Sequence, residues 1–317
     1  MSTPATLVPL MSQASRRSGR RTIFSTAPGT QLGPFGLVEW ALFAGVALIW
    51  GSSYLLIDIS LEGLSPLAIT WVRVVFGLAV LAAFPVARRP VDRADWRRIL
   101  VLAMTWNTIP FILFPVAQQH IDSALAGMLN APIPIYSSVI AVVLLRKLPR
   151  LGQTVGISLG LAGAIGIGLP AVRDSAASSL GVLLVVTATL LYGLSINLAV
   201  PLQQRYGAPA VIMRALAVTA VVTMPLGVVG LAGSEWRTGS IAAVAVLGIV
   251  NTGMAYVIMA SLVGRVGPTR GSVAVYCLPI VAMILGVIFR DETILPIQVA
   301  GTGLVLLGAW LTSRRES

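Results

Sequence analysis

The sequence predicts an all-α membrane protein of ten transmembrane helices, built from two inverted five-helix repeats, and three observations carry that prediction. The first is composition: 56% of the 317 residues are hydrophobic, 10% are charged and the mean hydropathy is +0.90. A soluble fold of this size has too little interior to hide so much apolar surface. The second is length, because apolar runs of about 20 residues, enough to cross a hydrocarbon core, recur ten times along the chain. The third is duplication. Pro134, Lys147, Gly156, Gly163 and Ala164 return 145 residues later as Pro279, Glu292, Gly301, Gly308 and Ala309. Trp50-Gly51 likewise matches Tyr192-Gly193, and Asn107-Thr108 matches Asn251-Thr252.

The runs lie near 37–57, 67–87, 98–118, 123–145, 151–171, 180–200, 209–232, 240–262, 270–289 and 295–312. Each must be a helix, because lipid offers no partner to backbone polar groups and no alternating barrel pattern is present. The chain therefore divides into a basic tail over 1–34, a first repeat over 37–171 and a second over 180–312. Five spans per repeat is an odd number, so the second copy enters the bilayer upside down. The tail carries four arginines and no acid. It has the composition of a disordered cytoplasmic segment; its superficial likeness to a transit peptide or a twin-arginine signal lacks the apolar run the latter needs.

Charge orients the spans. With the N-terminus inside, 17 of the 22 cations fall in cytoplasmic segments, among them Arg16, Arg88, Arg146, Lys147, Arg205, Arg265 and Arg314. Only Arg173, Arg237 and Arg290 fall outside, which predicts cytoplasmic N- and C-termini in a cell (inner or plasma) membrane. The flip from Lys147 to Glu292 follows from the same rule, since one loop is cytoplasmic and its repeat mate external. The net charge of +11 is thus topological, and its spread over six segments argues against a nucleic-acid partner. Inverted repeats of this kind are the architecture of secondary transporters, with a site near the midplane.

The segment from Trp50 to Arg73 (WGSSYLLIDISLEGLSPLAITWVR) and those around Asn251–Tyr256, Pro279, Glu292 and Gly301–Gly308 resemble the drug/metabolite transporter superfamily, and within it the tandem EamA-domain branch. The resemblance covers about 41–168 and 181–312. It implies a ten-helix exporter or facilitator of small metabolites, amino acids included, with a central cavity lined mainly by helices 1, 3, 4, 6, 8 and 9.

Candidate cavity residues follow in chain order. Trp50 and Ser53 lie deep in the first span, Asn107 in the third, Asn130 in the fourth, Tyr192, Ser195 and Asn197 in the sixth, Asn251 and Tyr256 in the eighth, and Tyr276 in the ninth. A buried Asn needs a partner, so Asn107 and Asn251 are either glue between helices or ligand contacts. Pro134 and Pro279 break their spans and free the carbonyls of Asn130 and Val275, with Pro132 a second break. Such breaks are packing kinks or parts of a binding site. Arg73 and Arg214 are the only formal charges inside spans; snorkelling to the headgroups is the leading reading, and a pair of gate charges or a carboxylate clamp the other.

All eleven acids fall at span ends or in loops, which argues against a carrier of organic cations and for a neutral or zwitterionic substrate. His120, the one histidine, is assigned no role, and Cys277, the one cysteine, permits neither disulfide nor metal site. The glycines of the fifth and tenth spans read as close packing within the bundle or between the copies of a homodimer. The expected function is export or facilitated passage of small polar or amphipathic metabolites, amino acids first, by alternating access. A multidrug efflux transporter is the alternative. An embedded enzyme is disfavoured because no catalytic cluster is present. The expected partners are a small-molecule substrate and the lipid bilayer, with no cofactor and no metal, in a monomer or homodimer.

Overall fold

The computed structural model describes residues 34–145, 149 and 151–313. The basic tail, Arg146, Lys147, Arg150 and the last residues lie outside them. Among the described residues nine helices are long and apolar enough to cross a membrane: α1 (Leu37–Leu61), α2 (Pro66–Ala83), α3 (Arg93–Ala117), α4 (Ser123–Leu144), α5 (Leu151–Asp174), α6 (Ala176–Tyr206), α7 (Ala208–Ala232), α8 (Thr238–Val266) and α9 (Ser272–Arg290). A shorter apolar helix, α10 (Pro296–Thr312), completes the ten.

Starts are set by local chemistry. Ser65 Oγ accepts from Ala68 N at 3.2 Å with Pro66 at the first helical position, and Ser175 Oγ accepts from Ser178 N at 3.0 Å. Gly207 (φ 85°) and Gly267 (φ 83°) turn the chain between α6 and α7 and between α8 and α9, in a conformation that only glycine adopts freely.

Small residues decide which helices touch. A Cβ on Gly301 would lie 2.7 Å from the Gly163 carbonyl, and one on Gly156 would lie 2.7 Å from that of Gly308, so α5 and α10 meet backbone to backbone. These glycines therefore join the two repeats within one chain. On the opposite flank α2 packs on α7, where Trp71 Nε1 donates to the Ala220 carbonyl at 3.1 Å.

Five helices depart from regular geometry, and the departures cluster at mid-depth. α1 divides at Ser52 into Leu37–Gly51 and Ser53–Leu61. α4 divides between Leu129 and Ile133, where Pro132 has no N–H to give, so Pro134 falls in the first turn of the second half. α9 tightens to a 3₁₀ turn over Ser272–Cys277 before Pro279. α3 and α8 each widen into a π-type turn, over Ala103–Thr108 and Ile249–Met254. The two carbonyls expected to be free are not. The Asn130 carbonyl accepts from Ile133 N at 3.4 Å, and the Val275 carbonyl accepts from Leu278 N, because a tighter i+3 bond replaces the one proline removes.

The ends of the bundle differ. At the end where α1 begins, Arg265 pairs with Glu39 (3.0 Å), and Arg205 reaches both Asp92 and Asp95. At the end where α1 finishes, Arg290 pairs with Asp58 and Glu62 at 2.5 Å each. There the Glu292 carboxylate also accepts from Ser123 N (2.9 Å), Ser123 Oγ (2.6 Å) and Ala124 N (2.7 Å).

Candidate functional site: a mid-bundle cavity

The irregular turns surround a cavity of about 830 Å³, including its open mouth. Its wall takes residues from α1, α2, α3, α4, α6, α8 and α9, and so from both repeats. Seven of the sequence candidates stand on it: Trp50, Ser53, Asn130, Tyr192, Asn251 and Tyr256, read as cavity residues, and Arg73, read as a snorkelling or gate charge.

The π turn of α8 organises one side. Asn251 Nδ2 donates to Ser52 Oγ and Ser53 Oγ, 3.1 Å each, and to the Ile49 carbonyl, while its own carbonyl accepts from Trp50 Nε1 at 3.1 Å. The break in α1 frees polar groups, and Asn251 meets them. Trp50 then lies edge-on to Tyr256, with ring centroids 5.7 Å apart.

Arg73 does not run to the interface. Its side chain is 8% exposed and lines the cavity. Nε donates to Thr252 Oγ1 at 2.8 Å, and the guanidinium lies 3.9 Å above the Phe111 ring. Thr252 Oγ1 donates in turn to the Leu247 carbonyl at 2.9 Å, a group the π turn exposes. Glycines at 77, 248 and 253 bring α2 and α8 into direct contact and hold the arginine inside the bundle. Arg214 behaves otherwise: it caps a turn at the Glu39 end, with Nη1 donating to the Ala87 and Ala210 carbonyls. The two arginines are therefore not a matched pair.

Other candidates lie off the wall. Asn197 Nδ2 donates to Ser137 Oγ (3.0 Å) and to the Ser137 and Gly193 carbonyls, tying α6 to α4. Ser195 Oγ donates to Thr105 Oγ1 at 2.8 Å, joining α6 to α3. Tyr276 is not among the wall residues. Asn107, in the π turn of α3, is fully buried, and neither of its amide atoms makes a hydrogen bond of ordinary geometry, although the Tyr256 hydroxyl lies beside it.

Four wall aromatics went unread in the sequence: Tyr54, Trp106, Phe111 and Phe114. Tyr54 follows Trp50, and Phe111 follows Asn107, at i+4, so each shares a helix face with a residue already chosen. Phe114 links the group by stacking on Tyr192 (6.0 Å, 22°) and tilting onto Tyr54 (5.7 Å).

Comparison with known proteins matches residues 39–169 and 179–314 to the EamA-like transporter family. The chain belongs to that family. Relatives of this EamA-like transporter include a transporter of Archaeoglobus fulgidus, 24% identical over 281 residues and spanning 88% of this chain and 99% of the relative. A probable terminal-alkyne amino-acid exporter of Streptantibioticus cattleyicolor is 25% identical over 281 residues, covering 87% and 93%. The Escherichia coli inner membrane transporter YedA is 26% identical over 286 residues, covering 86% and 89%. One crystal structure of similar fold aligns with a TM-score of 0.60 at 17% identity, over 86% of this chain and 95% of its own. The EamA-like chain is accordingly a multi-pass membrane transporter rather than an enzyme.

Proposed function

We propose that this EamA-like transporter moves small polar or amphipathic metabolites, amino acids first among them, out of the cell by alternating access at the mid-bundle cavity. The observation that carries the reading is a cavity walled by both repeats, with the Arg290 ion pairs and the Glu292 cap gathered at the end of the bundle where α1 finishes. With the termini cytoplasmic, as the arginine distribution predicts, that end faces outward, and the reading takes the cavity as part of an inward-facing state. The amino-acid exporter among the relatives supports the substrate class. A carrier of organic cations is disfavoured, since no carboxylate stands on the described cavity wall.

The test is counterflow in liposomes holding purified protein, offered amino acids, nucleosides and cationic dyes, with and without a pH gradient. The reading expects accumulation of labelled amino acid against its unlabelled form. It is sunk if no solute moves.

A further inference from the structure

We infer that the cavity selects its cargo by a single carboxylate and that Arg73 receives it, so the preferred substrate is a small monoanionic organic acid with a flat apolar body. The inference rests on the transport reading above and shifts its first substrate from amino acids to organic acids that carry one carboxylate and no ammonium. Among the described residues Arg73 is the only formal charge on the cavity wall, and none of the ion pairs uses it. The ionisable side chains that feel its charge are three tyrosines, Tyr192, Tyr256 and Tyr54, and no acid. A guanidinium more than nine-tenths buried without a counter-ion is costly, and the cost is relieved when an anion enters.

The geometry suits a carboxylate. Thr252 takes Nε and Phe111 takes one face of the plane, and among the described residues the fork of Nη1 and Nη2, on a side chain that lines the cavity, has no acceptor. A planar fork of this kind binds a carboxylate through two parallel hydrogen bonds. A second polar position lies on the same wall: Asn130 Oδ1 is buried and makes no hydrogen bond of ordinary geometry, with the Tyr54 hydroxyl beside its side chain. It fits a hydroxyl or N–H on the substrate. Phe114, Tyr54 and Tyr192 supply the apolar bed for the body. Charge balance separates the candidates. An α-hydroxy acid neutralises the cavity and fills both polar positions. An amino acid offers the same carboxylate but leaves the cavity with its net positive charge, and an amine adds to it.

Trp50 and Trp106 stand on the wall, so quenching of tryptophan fluorescence in the purified, detergent-solubilised protein reads binding directly. The probes are 3-phenyllactate, 3-phenylpropionate, phenylalanine and phenethylamine. The expected order is phenyllactate tightest, phenylpropionate and phenylalanine weaker, and phenethylamine without effect. Arg73→Gln should weaken phenyllactate by at least about ten-fold, with Arg73→Lys between the two, since loss of a charge-assisted bidentate contact is worth that much. Thermal melting of ligand-free Arg73→Gln should match or exceed wild type, which separates a lost binding group from a lost fold. Equal binding of phenethylamine, unchanged binding in Arg73→Gln, or no binding of either acid overturns the assignment. None of these results touches the transport reading, which counterflow with the wider panel decides separately.

Discussion

Asn251 and Asn107 occupy matching places in the two repeats, yet Asn251 gives its amide to Ser52, Ser53 and the Ile49 carbonyl while Asn107 makes no hydrogen bond of ordinary geometry and has only the Tyr256 hydroxyl beside it. The difference lies in the helices they face. α1 is broken at Ser52 and offers free polar groups; α6, which carries the matching Tyr192-Gly193, runs unbroken over Ala176–Tyr206 and offers none. Two copies of one unit in two conformations is what alternating access needs, since exchange of the two conformations moves the opening to the other face. In the opposite state Asn107 would hold a broken α6 and Asn251 would stand free.

That exchange makes the two asparagines separable by mutation. Asn251→Ala strands several α1 groups and should lower stability by roughly 1–2 kcal/mol. Asn107→Ala removes no hydrogen bond of ordinary geometry in this state and should leave the melting temperature near wild type while slowing transport. Melting and counterflow on both variants check this; a larger stability loss for Asn107→Ala contradicts it.

Glu292 caps α4 from across the repeat boundary, through bonds of 2.6–2.9 Å, and on the proposed orientation this contact seals the outer end. Glu292→Gln keeps the shape and removes the charge that strengthens bonds to a helix N-terminus. About 1.4 kcal/mol lost there shifts the closed-to-open ratio about ten-fold. The expected readout is faster labelling of a cavity cysteine from outside, and unchanged labelling removes Glu292 from the seal.

Asp122 gives that end a pH response. Partial burial pushes its carboxyl above the ordinary range, and the charges of Glu292 and Asp58 push the same way. A raised folded-state value favours the neutral acid. The stability this contributes is complete below the ordinary Asp range and is lost as pH rises through the folded-state value. Mild acidification should therefore slow outside labelling, and Asp122→Asn should reduce that dependence. An opposite slope in the wild type contradicts the assignment.

The α5–α10 contact has no room for side chains. Gly301→Val places a branched residue where even a Cβ sits 2.7 Å from the Gly163 carbonyl, and a loss of about 1–3 kcal/mol is expected. Gly303→Ala, with nothing within 4 Å, should be neutral or slightly stabilising. Thermal melting of the two variants decides this, and equal effects refute the packing account.

The helices and the duplication were legible because apolar length and fixed spacing are properties of the chain itself. Pro132 and Pro279 announced two of the irregular turns, since proline removes a donor wherever it stands. The π turns at Asn107 and Asn251 carry no such mark. They arise from contacts between α2 and α8 and between α3 and its neighbours, which no single segment contains. The same reason hid the direction of Arg73. A side chain two turns from a helix end reaches either headgroups or interior, and Thr252 and Phe111, 179 and 38 residues away, decide which.

The most direct measurement of the account is two-sided access to one cavity position. Ile133, 7% exposed on the cavity wall, can carry a single cysteine once Cys277 is replaced by alanine. A membrane-impermeant thiol reagent should label Ile133→Cys from the cytoplasmic side in the otherwise unaltered protein. It should label from the outside once Arg290→Ala opens the seal, and bound substrate should block both reactions. Labelling from one side only, whatever the state of Arg290, would contradict alternating access.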